Sequence, residues 1–142
     1  MTVGRAACLV GVALLVLVVN IAVSVLYMVV YGHVIDPGHE PKYYNDHVQM
    51  AAPYCSILVG ILLMLLAGWW VTGWWGRTLG AKAALFVWLA YAMIDLAILL
   101  AAGVSLSAGL MVGVSLATKL AAAYCGAWLR LRRRAESSAG AR

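Results

Sequence analysis

Asp95 and Lys119 are the only charged residues deep inside the long apolar runs of this chain. An ionisable group at the centre of a membrane span costs roughly 2.5–3.5 kcal/mol on insertion scales. Residues kept at that cost are candidates for proton, ion or solute chemistry. They can equally be a buried pair that sets how helices assemble. Measured from the turn expected at residues 103–107, Asp95 lies about 12 Å deep and Lys119 about 18 Å deep, at 1.5 Å per residue. Side chains lean toward the N-terminus of their own helix, so these two lean toward each other. An Asp95–Lys119 pair, or a shared polar cluster with Asn20, is therefore expected.

Other polar residues keep the spacing of a helix face. Asn20, Ser24, Tyr27 and Tyr31 are separated by 4, 3 and 4 positions, which puts them on one narrow seam expected to face the bundle interior. Trp88, Tyr91 and Asp95 share a face, as do Ser115, Thr118 and Lys119. The candidate intramembrane site is thus Asn20, Ser24, Tyr27, Tyr91, Asp95, Ser115 and Lys119.

A second cluster lies in "YGHVIDPGHEPKYYNDHV", from Tyr31 to Val48, which holds all 3 histidines of the chain. His33, Asp36, His39, Glu40, Asp46 and His47 are possible Zn or Cu ligands, since such sites need three or four converging donors. Pro37 and Gly38 interrupt the helical spacing that His-x-x-x-His geometry requires. The same residues suit pH sensing or substrate contact, because free histidines titrate near pH 6.5. A merely solvated loop is the third reading.

The elements that position these residues follow from composition. The 142 residues are 65% hydrophobic, with only 11% charged. So few charges cannot cover the surface of a water-soluble domain of this size. Four apolar runs, at about residues 7–31, 54–75, 83–103 and 105–131, each reach the roughly 20 residues that a membrane helix needs. The expected fold is all-α: a polytopic four-transmembrane-helix bundle, one membrane domain over residues 1–142. Residues 32–53 form an outward loop, with a turn at Asp36-Pro37-Gly38 and an interfacial helix from Lys42 to Ala52 that ends before Pro53. Residues 130–142 form a basic tail whose last residues are expected to be disordered. The first run is too long for a signal-peptide core and is read as a retained span.

Arg5, Arg77, Lys82 and the tail arginines lie on one side of the spans and Lys42 on the other. The positive-inside rule then places both termini in the cytoplasm, in a bacterial inner membrane. The net charge of +5 belongs to a lipid-facing tail, so a nucleic-acid partner is not expected. Three cysteines suggest packing, not a disulfide framework.

Ser105, Gly109, Gly113 and Ala117 form a ladder of small residues, continued by Ala121 and Cys125, that lets a second backbone approach closely. A looser stripe in the second span is Ser56, Gly60, Gly68 and Thr72. The default expectation is that the two stripes pack together within the chain; the alternative is contact with a second copy.

Missing motifs narrow the function. No CxxC, no histidine inside a span, no nucleotide loop and no serine–histidine arrangement on adjacent spans is present. The first reading is a small membrane protein that handles an ion, proton or small solute through the intramembrane polar site, working as a homo-oligomer. The second is an accessory or assembly subunit of a larger membrane complex, in which Asp95 and Lys119 are structural. The third, a metal-dependent membrane enzyme using the loop, is less favoured.

Overall fold

The computed structural model describes residues 3–75, 77–101, 103 and 106–139. It is all-helical among these residues: α1 (Val3–Val30), α2 (Pro41–Trp74), α3 (Arg77–Ala101) and α4 (Leu106–Ala139). Four helical stretches, Val3–Ile35, Pro41–Trp74, Leu79–Ala101 and Gly109–Ser137, are long and apolar enough to cross a membrane.

Two boundaries differ from the expectation. A π-helical turn, Tyr31–Ile35, extends α1, and α2 begins at Pro41, so the outward segment expected at 32–53 is helical on both sides of Asp36–Glu40. Pro41 sits in the first turn, where its missing N–H costs nothing. The expected stop before Pro53 is absent: the interfacial helix and the second span are one helix that runs through Pro53. A proline removes only its own bond to the carbonyl four residues back. Ending the helix would orphan several more backbone groups in apolar surroundings. The turn at Asp36-Pro37-Gly38 is present, with Gly38 at φ +97°, a conformation that favours glycine.

α4 continues through the basic residues to Ala139. Arg130 lies over the Trp69 ring at 4.3 Å, and an Arg134 guanidinium N–H donates to the Gly73 carbonyl at the end of α2. The last residues of the tail lie outside the described residues.

The core follows two seams. From α1 it takes Leu9, Val12, Ala13, Val16, Leu17 and Asn20, a 3-and-4 spacing that stops at Asn20. Beyond that point α1 has no buried residue, so the expected inward seam holds only at its first member; Tyr27 is 38% exposed. The most extensive packing is between α2 and α4. There Gly68 rests on the Ala123 carbonyl and Gly126 on the Leu65 carbonyl, so closely that a methyl group at either position would collide with backbone.

This contact corrects the ladder expectation. Gly60, Gly68 and Thr72 of α2 do face the interior. The face of α4 that meets α2 and α3 is Ser115, Lys119, Ala122, Ala123, Gly126 and Ala127. Gly109, Gly113 and Ala117 are exposed, and nothing lies within 4 Å of a methyl group placed at either glycine. Ser105 lies outside the described residues. The reason is angular: Ala117 and Lys119 are two residues, or about 200°, apart on a helix. One rotation of α4 cannot bury both.

Candidate functional site

Lys119 is 1% exposed and its side chain crosses the α2–α4 contact above Gly60. Gly60 leaves the space; a Cβ there would strike Lys119 Cε. Lys119 Nζ donates to Tyr91 Oη at 2.9 Å, and also stands 4.8 Å from the Tyr91 ring centroid. Asn20 Nδ2 donates to the same Tyr91 oxygen at 3.3 Å and to Ser56 Oγ at 3.0 Å. One residue from each helix therefore meets at mid-bundle: Asn20 of α1, Ser56 of α2, Tyr91 of α3 and Lys119 of α4.

The donor and acceptor inventory leaves groups over. Tyr91 oxygen takes two donors, which leaves its own O–H hydrogen to be placed. The amide oxygen Asn20 Oδ1 is buried with no partner, although Asn20 is only 3% exposed. Among the described residues Lys119 has one hydrogen bond for three N–H groups when protonated. Buried polar groups are usually satisfied, so this cluster stands out for the hydrogen-bonding capacity it leaves unused.

Asp95 stands one turn beyond Tyr91 on α3, half-buried. It makes no salt bridge with Lys119: the ion pairs among the described residues are His39–Asp36 and Arg132–Glu136. Of the two expected arrangements, Lys119 takes the shared cluster with Tyr91 and Asn20 and forms no salt bridge with Asp95. Asp95 lines a cleft of about 420 Å³ between α2, α3 and α4. Ser56, Ser115 and Gln49 contribute its polar wall, and Pro53, Leu99 and Met111 part of its apolar one. Pro53 has no N–H for the Gln49 carbonyl four residues back, so one intrahelical hydrogen bond is missing beside the cleft.

The remaining candidates separate. Ser24 bonds its own helix through the Asn20 carbonyl, and Thr118 bonds Val114 and Ser115 in the same way, so neither joins the cluster. Tyr27 packs toward Tyr31, with ring centroids 6.3 Å apart. Trp88 Nε1 donates to the Leu116 carbonyl at 3.0 Å, tying α3 to α4. Ser56, part of the small-residue stripe expected to pack, joins the cluster instead. The available signal was its position one turn before Gly60, on the face that Lys119 crosses.

The histidine and carboxylate group does not converge. Among the described residues no three His, Cys, Asp or Glu side chains gather to hold a metal, so the Zn or Cu reading finds no site here. His33 Nδ1 donates to the Val29 carbonyl, His47 stacks on Tyr31 at 3.8 Å, and Glu40 and Asp46 are exposed. Asp36 organises the connection instead. Its carboxylate accepts from Tyr43 at 2.8 Å and Tyr31 at 3.4 Å, its carbonyl from Tyr44 at 2.8 Å, and His39 stands 3.5 Å away.

Comparison with protein-family models, with curated proteins and with solved structures finds no match to this chain.

Proposed function

We propose that this chain is a four-span integral membrane protein that handles a proton, ion or small solute at the Asn20–Ser56–Tyr91–Lys119 cluster, with Asp95 as the group facing the cleft. Both termini lie in the cytoplasm and the Asp36–Glu40 connection lies outside. The observation that carries this reading is the lysine buried at 1% exposure, hydrogen-bonded to a tyrosine and not to the carboxylate one turn beyond it. A pair kept only for assembly gains most when the two charges meet directly. Here the lysine bonds instead to the Tyr91 hydroxyl, one helical turn from Asp95. A hydroxyl that both accepts and donates a proton is the kind of group a relay requires.

The proton is the species best suited to that chemistry. A protonated Asp95 carboxyl gives its proton to the Tyr91 oxygen, directly or through one water, as Tyr91 gives its own to a neutral Lys119 amine. The products are a carboxylate, a phenol and an ammonium, so charge and protons balance. Met64, Val71 and Val87 pack the interior on the far side of Lys119, so release there requires the helices to shift.

The test is proton uptake by vesicles containing the purified protein under an imposed pH gradient. Asp95→Asn and Lys119→Met are each expected to reduce uptake at least tenfold while the protein still folds. Unchanged uptake in both variants removes the reading.

The open Gly109–Gly113–Ala117 face supports a second reading, a subunit that docks on a larger assembly or on its own copy. Under it, the wild type migrates above monomer mass in mild detergent and Gly113→Leu returns it to monomer, with proton uptake absent throughout.

A further inference from the structure

A second apolar cavity lies at the opposite end of the bundle from Asp36. It is a slot of about 150 Å³ lined by Arg5, Leu9, Trp75, Leu79, Lys82 and Ala83. Three helix ends build it. Arg5 and Leu9 are one turn apart on α1, Leu79, Lys82 and Ala83 share a face of α3, and Trp75 follows the last residue of α2. A void of this size with apolar walls accommodates a group as large as benzene, and so the first methylenes of an acyl chain.

Its rim is cationic and unmatched. Among the described residues Arg5 and Lys82 are exposed and make neither a hydrogen bond nor an ion pair. No carboxylate lines the slot, and the first turns of α1 and α3 carry none. The five carboxylates of the chain are elsewhere. Asp36, Glu40 and Asp46 stand at the other end, Asp95 lines the cleft, and Glu136 is paired with Arg132 at 3.3 Å. Two free cations over a tryptophan-walled apolar slot fit a molecule with an anionic head and a hydrocarbon tail.

Resting on the membrane reading above, we infer that this slot is a binding site for an anionic phospholipid of the inner leaflet. Arg5 and Lys82 hold the headgroup phosphate and the Leu9–Trp75–Leu79 wall takes the start of an acyl chain. Basic pockets between spans on the cytoplasmic side are suited to such headgroups.

The experiment measures, by native mass spectrometry, binding of phosphatidylglycerol and phosphatidylcholine to the delipidated full-length protein. The wild type is expected to prefer phosphatidylglycerol about 30-fold, the scale of two basic side chains near an anionic surface. Arg5→Gln with Lys82→Gln, both exposed positions, is expected to abolish that preference. The double change Arg132→Gln with Arg133→Gln, equal in charge but at residues that do not line the slot, is expected to leave it. An unchanged preference in the first variant, or an equal loss in the second, overturns the site. Displacement of the lipid by excess inorganic phosphate overturns the acyl-chain half and leaves a simple anion contact. The membrane reading fails separately, if alkaline carbonate strips the protein from membranes.

Discussion

Lys119 Nζ donates to Tyr91 Oη at 2.9 Å, while Asp95, one turn further along α3, remains outside salt-bridge reach. Tyr91 is therefore the partner on which the buried lysine depends. Asn20 depends on it too, through a 3.3 Å bond. Removing the hydroxyl strands two donors at once.

Tyr91→Phe is expected to destabilise the protein by about 1–3 kcal/mol, the cost of leaving a buried donor unsatisfied, and more if Lys119 stays charged. Lys119→Met removes the charge along with its need, and is expected to be near neutral or stabilising. The double variant should cost less than Tyr91→Phe alone. Unfolding in detergent, arranged as a double-mutant cycle, measures the coupling. Strict additivity would mean that the Lys119–Tyr91 bond carries no energy.

The α2–α4 contact predicts opposite outcomes for glycines of one helix. At Gly126 an added methyl meets the Leu65 carbonyl, so Gly126→Ala is expected to lose about 1–3 kcal/mol through overpacking. At Gly109 it meets open space, so Gly109→Ala is expected to be neutral or to gain up to about 1 kcal/mol in helix propensity. Thermal unfolding of the two variants side by side gives the answer. A large loss at Gly109 would show that this face is covered in the functional protein.

Pro53 breaks one hydrogen bond inside α2 beside the cleft. Pro53→Ala restores the donor to the Gln49 carbonyl, and is expected to raise stability by no more than about 3 kcal/mol. Proton uptake is expected to fall, because the restored bond engages a backbone carbonyl beside the cleft that Ser56 and Asp95 line. Unfolding and uptake on the same preparation separate the two effects. A gain in stability with full uptake would show that the missing bond does not serve the site.

Arg134 donates to the Gly73 carbonyl, in the last turn of α2, where a cation also meets the negative end of the helix dipole. Arg134→Gln is expected to cost about 1 kcal/mol and to speed hydrogen exchange in that turn. Arg133→Gln, at an exposed neighbour, is expected to do neither.

Pro53 and Pro41 show where reading the chain residue by residue succeeds and where it stops. Pro41 starts a helix because the requirement is local: a fixed φ and a donor that is not needed. Pro53 does not end one, because the outcome depends on the many backbone bonds on either side, which no single residue announces. The loop histidines failed for a related reason. Donor types were present in the right number, but convergence on a metal is a three-dimensional property. Tyr31, Tyr43 and Tyr44 drew Asp36 to themselves instead.

By itself the sequence determined that the protein is helical, how many apolar helices it has, and which polar residues stand alone among hydrocarbon. Those follow from run length, composition and the 3.6-residue period, all local quantities. It also placed Asn20, Tyr91 and Lys119 among the candidates, because a polar side chain in an apolar helix needs a partner. Only the tertiary structure decided who the partners are. The rotation of α4 settles between two faces about 200° apart, one with a glycine ladder and one with a lysine. The face that carries the lysine is the one buried, where Lys119 finds a hydrogen-bond partner that a small-residue contact does not need. That choice brings Lys119 across Gly60 to Tyr91, leaves Asp95 in the cleft, and turns Gly109 and Gly113 outward.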